Sequence, residues 1–137
     1  MTAKSYFGRR YMLSASHRLH VDALSAEENR TAYGKCNNPH GHGHNYTIEV
    51  MVGGPVDGET GMVMNLVDLD RVVNDRILER FDHGNLNLDP AFASRVPTTE
   101  NLARVVYELL QTALPAGRLE HVRIEETENN YFECYGA

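Results

Sequence analysis

The stretch Cys36-Asn-Asn-Pro-His-Gly-His-Gly-His-Asn-Tyr46 holds three of the chain's seven histidines, at every second position, just after one of its two cysteines. Residues two apart on a strand share a face. If a strand begins here, His42 and His44 point the same way, and two imidazoles can hold one metal ion. His17 ends an earlier alternating run and can supply a third nitrogen. Three histidines with an open fourth position form the donor pattern of a catalytic zinc site. His40 has the same parity as His42 and His44, and His20 competes with His17, so spacing alone does not choose among them.

Cys36 lies among turn residues and has three readings. It can close the metal site as a fourth ligand, act beside an open site as base or nucleophile, or fill a small buried space. The second role needs the thiolate, and a partner must then lower the pKa. Lys35 and the charge of a bound metal are the local candidates. Asp82-His83 follows a predicted helix. A carboxylate can fix an imidazole's tautomer, and that imidazole can relay a proton to a thiol. The plainer reading is a histidine at a helix C-terminus, favoured by the helix dipole. Glu126 shares parity with Val122 and Ile124 and is expected to point inward. An inward carboxylate needs a partner. A ligand edge with two N–H donors suits it; so does an arginine, or a reach to solvent.

The elements that must position these groups are readable from periodicity. Tyr6 to His17 alternates, with Phe7, Tyr11, Leu13, Ala15 and His17 on one face and Arg9 as the exception. A strand is predicted there. Arg18 to Asn38 is polar and reads as a long loop. His44 to Val52 is a second strand, Gly53-Gly-Pro a turn, and Gly61 to Met64 a short third strand. Asn65 is an N-cap for a helix carrying Leu66, Leu69, Val73 and Ile77, ending near Phe81. Thr98 or Thr99 caps a second helix with the stripe Leu102, Val105, Val106, Leu109, Leu110 and Ala113, which stops before Pro115. His121 to Glu126 and Tyr131 to Tyr135 are two closing strands. This order predicts an α+β fold, an antiparallel sheet with two helices packed on one face.

Composition bounds the function. The 137 residues fit one domain, expected over 1–137, and 42% hydrophobic with 23% charged content is ordinary for a soluble protein. Net charge is −6 and no block of Lys or Arg exists, so no nucleic-acid partner is expected. No apolar run approaches the roughly 20 residues of a membrane span. The first residues lack the apolar core of a signal peptide. A cytoplasmic setting is expected, and there a disulfide between Cys36 and Cys134 is not.

Six segments together resemble the 6-pyruvoyl-tetrahydropterin synthase family, in the family's order. They are SASHRL (Ser14 to Leu19), GKCNNPHGHGHNY (Gly34 to Tyr46), GMVMNLVDL (Gly61 to Leu69), DHGNLN (Asp82 to Asn87), PTTEN (Pro97 to Asn101) and EETENN (Glu125 to Asn130). The resemblance implies a T-fold, in which sheets join edge to edge in a trimeric barrel and two trimers stack as a homo-hexamer, with active sites at subunit interfaces. It implies His17, His42 and His44 as ligands of Zn2+, with His40 outside the metal shell. It implies Cys36 as the catalytic thiol, Asp82 and His83 as its activating partners, Glu126 as the anchor of the pterin, and Thr99 as a further pterin contact. The implied reaction converts 7,8-dihydroneopterin triphosphate to 6-pyruvoyl-tetrahydropterin by triphosphate elimination and internal redox. Basic residues at the tunnel mouth would hold the triphosphate, and the sequence does not single them out.

Three rival readings stand beside this one. A related enzyme, 6-carboxy-tetrahydropterin synthase of queuosine (7-deazaguanine) biosynthesis, uses the same substrate and places its cysteine nearer its HGH motif. Cys36 precedes both His40-Gly41-His42 and His42-Gly43-His44, so both spacings occur here, although CNNP followed by GHGHNY is closer to the pyruvoyl pattern. A non-catalytic zinc- or pterin-binding module would have no use for Cys36, Asp82, His83 and Glu126 together. A structural zinc protein would take Cys36 as its fourth ligand.

Overall fold

The computed structural model describes residues 3–136. Five strands form one sheet: β1 (Ser5–His17), β2 (His42–Gly54), β3 (Gly84–Asn85), β4 (Leu119–Glu125) and β5 (Tyr131–Cys134), in the order β3-β1-β2-β4-β5. All neighbours are antiparallel except β3, which runs parallel to β1 at Ala15 and Ser16. The long β1–β2 pair runs from Ser5 opposite Gly54 to His17 opposite His42.

Alternation decides which face is covered. Leu13, Ala15, Tyr46, Ile48, Val50, Val52, Val122 and Ile124 share one face of the sheet and are buried. Helix α1 (Ala26–Tyr33) stands apart, while α2 (Leu66–Val73) and α3 (Thr99–Ala113) contribute to the core. Helix α2 continues through a π-turn (Asn74–Leu78) and a last turn (Glu79–Phe81). Its buried residues, Leu69, Val73, Ile77 and Phe81, are four apart. That spacing overshoots the 3.6-residue repeat, and the wider turn takes up part of the drift. Helix α3 adds Leu102, Val106 and Leu110. Arg9, the exception on the inner face of β1, meets a partner there. Its Nε lies 2.7 Å from Asp70 Oδ1 on α2, and the Tyr11 hydroxyl donates to the same oxygen.

The α+β expectation holds, with α2 and α3 as the predicted pair and both Asn65 and Thr98 as their N-caps. Two local readings are corrected. The segment read as loop from Arg18 to Asn38 contains α1 and a 3-10 turn (Gly34–Asn37). Helix α1 has no apolar stripe, so periodicity misses it; its signal is the capping box Ser25-Ala-Glu-Glu28, whose two reciprocal bonds both form. Gly61 to Met64 is not a strand. Asp57 folds that segment on itself, accepting from the Glu59 and Thr60 amides while its own amide donates to the Met62 carbonyl. The remaining strand is the two-residue β3, too short to carry an alternation. No helix among the described residues is long and apolar enough to cross a membrane.

One buried polar residue ties α1 down. Asn29 is fully buried; its Oδ1 accepts from the Val21 amide, and its Nδ2 donates to the carbonyls of Val21, Leu24 and Ser25. Asn29→Ala removes the side-chain partner of the Val21 amide and of the Leu24 carbonyl, while the Val21 and Ser25 carbonyls keep the Leu24 and Asn29 amides, and is expected to cost about 2 kcal/mol in urea denaturation. A change under about 0.5 kcal/mol, the range of an indifferent surface substitution, would show that the segment holds without it.

Candidate active site

The end of the β1–β2 pair assembles three imidazoles. His17 and His42 are directly opposed across the ladder, and His44 is opposite Ala15, two residues along the same inner face. Side chains so placed lie within contact distance. His42 Nε2 is 3.2 Å from His17 Nε2 and 2.8 Å from His44 Nε2. One ligand atom from each of the three falls within 4.8 Å of the others. In a tetrahedral zinc site with bonds of about 2.0–2.1 Å, nitrogens stand roughly 3.3 Å apart. The spacing therefore fits one ion. His17 is 1% exposed, and its Nδ1 lies 2.8 Å from the Pro97 carbonyl. That carbonyl needs a donor, so Nδ1 carries the proton and Nε2 keeps its lone pair toward the cluster.

Burial pushes the pKa of His17 and of His42 down, and neighbouring imidazoles push further the same way. The neutral form, the one a metal binds, is thereby favoured. The spacing of the sequence left His40 and His20 open as competitors. His40 is exposed in the turn before β2, and His20 pairs with Asn37 and Asp22. Gly41 explains why the turn can deliver His42 here. Its φ is +72°, and a Cβ on it would stand 3.0 Å from the His17 carbonyl oxygen.

Glu126 lies one residue past β4 and is half-buried, which moves it from the predicted strand to the turn that follows. The Thr99 hydroxyl, buried at the first turn of α3, donates to Glu126 Oε2. The positive end of the helix thus faces a carboxylate. Thr98, not Thr99, is the cap, accepting from the Asn101 amide. Tyr46 completes the floor. Its hydroxyl is 3.4 Å from His17 Nδ1, and burial with the Glu126 charge drives its pKa up, so the phenol stays protonated. Periodicity marks Tyr46 only as core; nothing in its spacing sets it apart from Ile48 and Val50.

Cys36 sits in the 3-10 turn, partly buried. Burial pushes its thiol up, and the Glu126 carboxylate adds to that. Lys35 is exposed beside it. Asp82 and His83 are fixed elsewhere, on Ser14 of β1. The Ser14 amide donates to Asp82 Oδ1 at 2.8 Å, and the His83 amide donates to the Ser14 carbonyl. His83 Nε2 is 3.5 Å from Asp82 Oδ2, and the imidazole side chain is 82% exposed. Its φ of +60° is unusual for a residue with a Cβ and is held by those two bonds to Ser14, one from the His83 amide and one through the Asp82 side chain. One chain therefore brings together the three histidines, Cys36, Thr99 and Glu126. It presents the His83 imidazole to solvent, with Asp82 half-buried beside it.

A family model described as 6-pyruvoyl tetrahydropterin synthase matches residues 7–137. A human protein named 6-pyruvoyl tetrahydrobiopterin synthase is 52% identical over 123 residues, 89% of this chain and 85% of that protein. The structure of 6-pyruvoyl tetrahydropterin synthase from Caenorhabditis elegans superposes with a TM-score of 0.94 at 39% identity, over 99% of this chain and 98% of that one. An Archaeoglobus fulgidus protein named putative 6-carboxy-5,6,7,8-tetrahydropterin synthase is 37% identical over 112 residues, 81% of this chain and 88% of that protein.

Zinc titrated against a chromophoric chelator is expected to bind at one ion per chain. His42→Ala removes the central nitrogen and is expected to weaken binding on the order of 100-fold. Affinity like that of the unaltered protein would place the metal elsewhere.

Proposed function

Because the chain belongs to the 6-pyruvoyl tetrahydropterin synthase family, we propose that it converts 7,8-dihydroneopterin triphosphate to 6-pyruvoyl-tetrahydropterin and triphosphate, as a lyase that needs no external reductant. The observation that carries this reading is the convergence of three imidazoles, a thiol and a helix-capped carboxylate at one end of the inner sheet face. The 6-carboxy product is the second reading, on the cysteine spacing; the higher identity lies with the pyruvoyl relatives.

Each side chain has a task in this reaction. Glu126 accepts N–H bonds from the amino-pyrimidine edge of the pterin and fixes its orientation. Thr99 holds that carboxylate in place and adds a further contact to the pterin. His17, His42 and His44 hold a divalent ion, zinc by the all-nitrogen donor set. When bound, the ion supplies Lewis-acid polarisation of side-chain oxygens and so acidifies the adjacent C–H. Cys36 moves protons at the side-chain carbons of the substrate. His83, oriented by Asp82, takes and returns the thiol's proton.

That last task needs a second copy of the chain. Within one chain, Cys36 is acted on by burial and Glu126, both of which disfavour the thiolate. The Asp82–His83 pair lies on the other side of β1 from β2, beside β3, with the imidazole exposed. Among the described residues, strand β3 covers only Ala15 and Ser16, so most of the outer edge of β1 has no neighbouring strand, nor does the outer edge of β5. Edges of this kind invite pairing. The assembly is a homo-hexamer built as two trimers, each chain folded as one domain over 1–137, and the setting is cytoplasmic.

Protein loaded with zinc and incubated with 7,8-dihydroneopterin triphosphate should yield a 6-pyruvoyl product by mass spectrometry. A 6-carboxy product with acetaldehyde would replace this reading by the second one. Cys36→Ala and His83→Ala are each expected to lose about 100-fold or more in kcat while keeping the metal. Dissociating and co-assembling the two inactive variants should restore activity, since mixed assemblies contain sites with both native groups. No recovery in assemblies shown to be mixed would sink the shared site.

A further inference from the structure

Cys36 stands in the 3-10 turn Gly34–Asn37, which has little of its own to hold it. Turns of this kind make poorer hydrogen bonds than an α-helix. The bond from the Asn38 amide to the Lys35 carbonyl is 3.3 Å long, and no side chain caps the start of the turn. Packing does not make up for this. Gly34, Lys35, Asn38 and Pro39 border a cavity of about 720 Å³. Asn37 is the one buried residue of the turn, at 6% exposed. A thiol that must meet a particular carbon of a substrate needs a firmer placement, since a displacement of about 1 Å can cost 100-fold in rate.

The Asn37 side chain supplies it. Its Nδ2 donates to the Leu19 carbonyl at 2.7 Å and to His20 Nδ1 at 3.0 Å, so both amide hydrogens have partners. A carbonyl can only accept, which fixes the orientation of the amide. The backbone of the turn is bound to the same segment. The Leu19 amide donates to the Cys36 carbonyl at 2.7 Å, and Arg18 Nε donates to the Asn37 carbonyl at 3.2 Å. Leu19 thus gives its amide to Cys36 and receives the Asn37 side chain on its carbonyl. Asn87 holds the segment as well. The Arg18 amide donates to Asn87 Oδ1 at 2.6 Å, and Asn87 Nδ2 donates to the Arg18 carbonyl at 2.9 Å. Two asparagine side chains therefore grip the chain as it leaves β1. His17, the last residue of β1 and a member of the histidine cluster, stands two residues before Leu19. The turn that carries the thiol is thereby located with reference to that cluster.

We infer that Asn37 is a positioning residue for the Cys36 thiol, tying the turn that carries it to the segment that continues from His17. The use of the thiol in turnover rests on the function proposed above; the tether itself rests on the bonds. Asn37 acts through Leu19 and Cys36, keeping the sulfur where it can reach the side-chain carbons of the substrate. Without its two donated bonds the turn keeps only its backbone contacts and is free to move toward the cavity beside it.

The test uses the full chain loaded with zinc, in a Cys134→Ser background that leaves Cys36 as the only thiol. Cys134 lies on β5, outside the site, and the background is expected to keep full activity. Asn37→Ala removes the two donated bonds. Asn37→Leu removes them too while keeping the branched shape, and serves if the truncated form fails to fold. Either variant is expected to raise the rate of Cys36 alkylation by iodoacetamide about threefold or more, because a loosened turn exposes the sulfur more often. With 7,8-dihydroneopterin triphosphate, kcat should fall about tenfold or more while KM and zinc content hold. A folded variant alkylated at the unaltered rate overturns the tether. Faster alkylation with an unchanged kcat overturns its part in the reaction. A rise in KM or a loss of zinc as large as the fall in kcat overturns a role specific to the thiol. If the unaltered protein turns over no pterin triphosphate while alkylation still quickens in the variants, the functional reading falls and the tether stands.

Discussion

The register of one strand pair, with His17 opposite His42, is the constraint on which the rest of the structure depends. Side chains alternate along a strand, so a slip of one residue would send every inner group outward. His17 would leave the cluster, and Leu13, which lies opposite Tyr46, would leave the core with it. The apolar rows that stabilise the fold therefore also hold the three histidine nitrogens that could take a metal ion. Arg9 and Tyr11 pin the far part of β1 to Asp70 of α2, so the strand is located by a polar bond as well as by burial. The site is the continuation of the hydrophobic core past the point where apolar side chains stop.

Helix α3 serves that site twice at its first turn. The chain entering it presents the Pro97 carbonyl to His17 Nδ1, and Thr99 at its start donates to Glu126. A helix start has free N–H groups and a partial positive charge, so it tolerates a half-buried carboxylate that an apolar wall would not. One element thus fixes the tautomer of a histidine and the position of the acid. The packing of α3 on β4 and β5 through Leu102, Val106 and Leu110 makes both placements rigid.

The thiol and the Asp82–His83 pair are arranged differently. Cys36 is placed by a short 3-10 turn and faces a carboxylate that opposes its ionisation. Asp82 and His83 are held by Ser14 at the border of the sheet, with the imidazole in solvent. A five-stranded open sheet cannot bring both its sides to one point. Closure by neighbouring copies offers a way to do so, and it would use the free edges that β1 and β5 present.

Much of this was legible in the sequence. Alternation in Phe7 to His17 and in Tyr46 to Val52, the stripes of α2 and α3, and the caps Asn65 and Thr98 are local signals, because each depends on a period or a nearby hydrogen bond. His42 and His44 were recognisable as a pair for the same reason. Other features depend on partners far along the chain. The choice of His17 over His20 follows from a ladder that joins residues 25 apart, and the exclusion of His40 from the turn at Gly41. Helix α1 escaped periodicity because what it buries is an asparagine. The link between Thr99 and Glu126, the buried phenol of Tyr46 and the tie from Asn37 to Leu19 and His20 were decided by tertiary structure alone. Charge and hydrogen bonding act through space, and a sequence records spacing only along the chain.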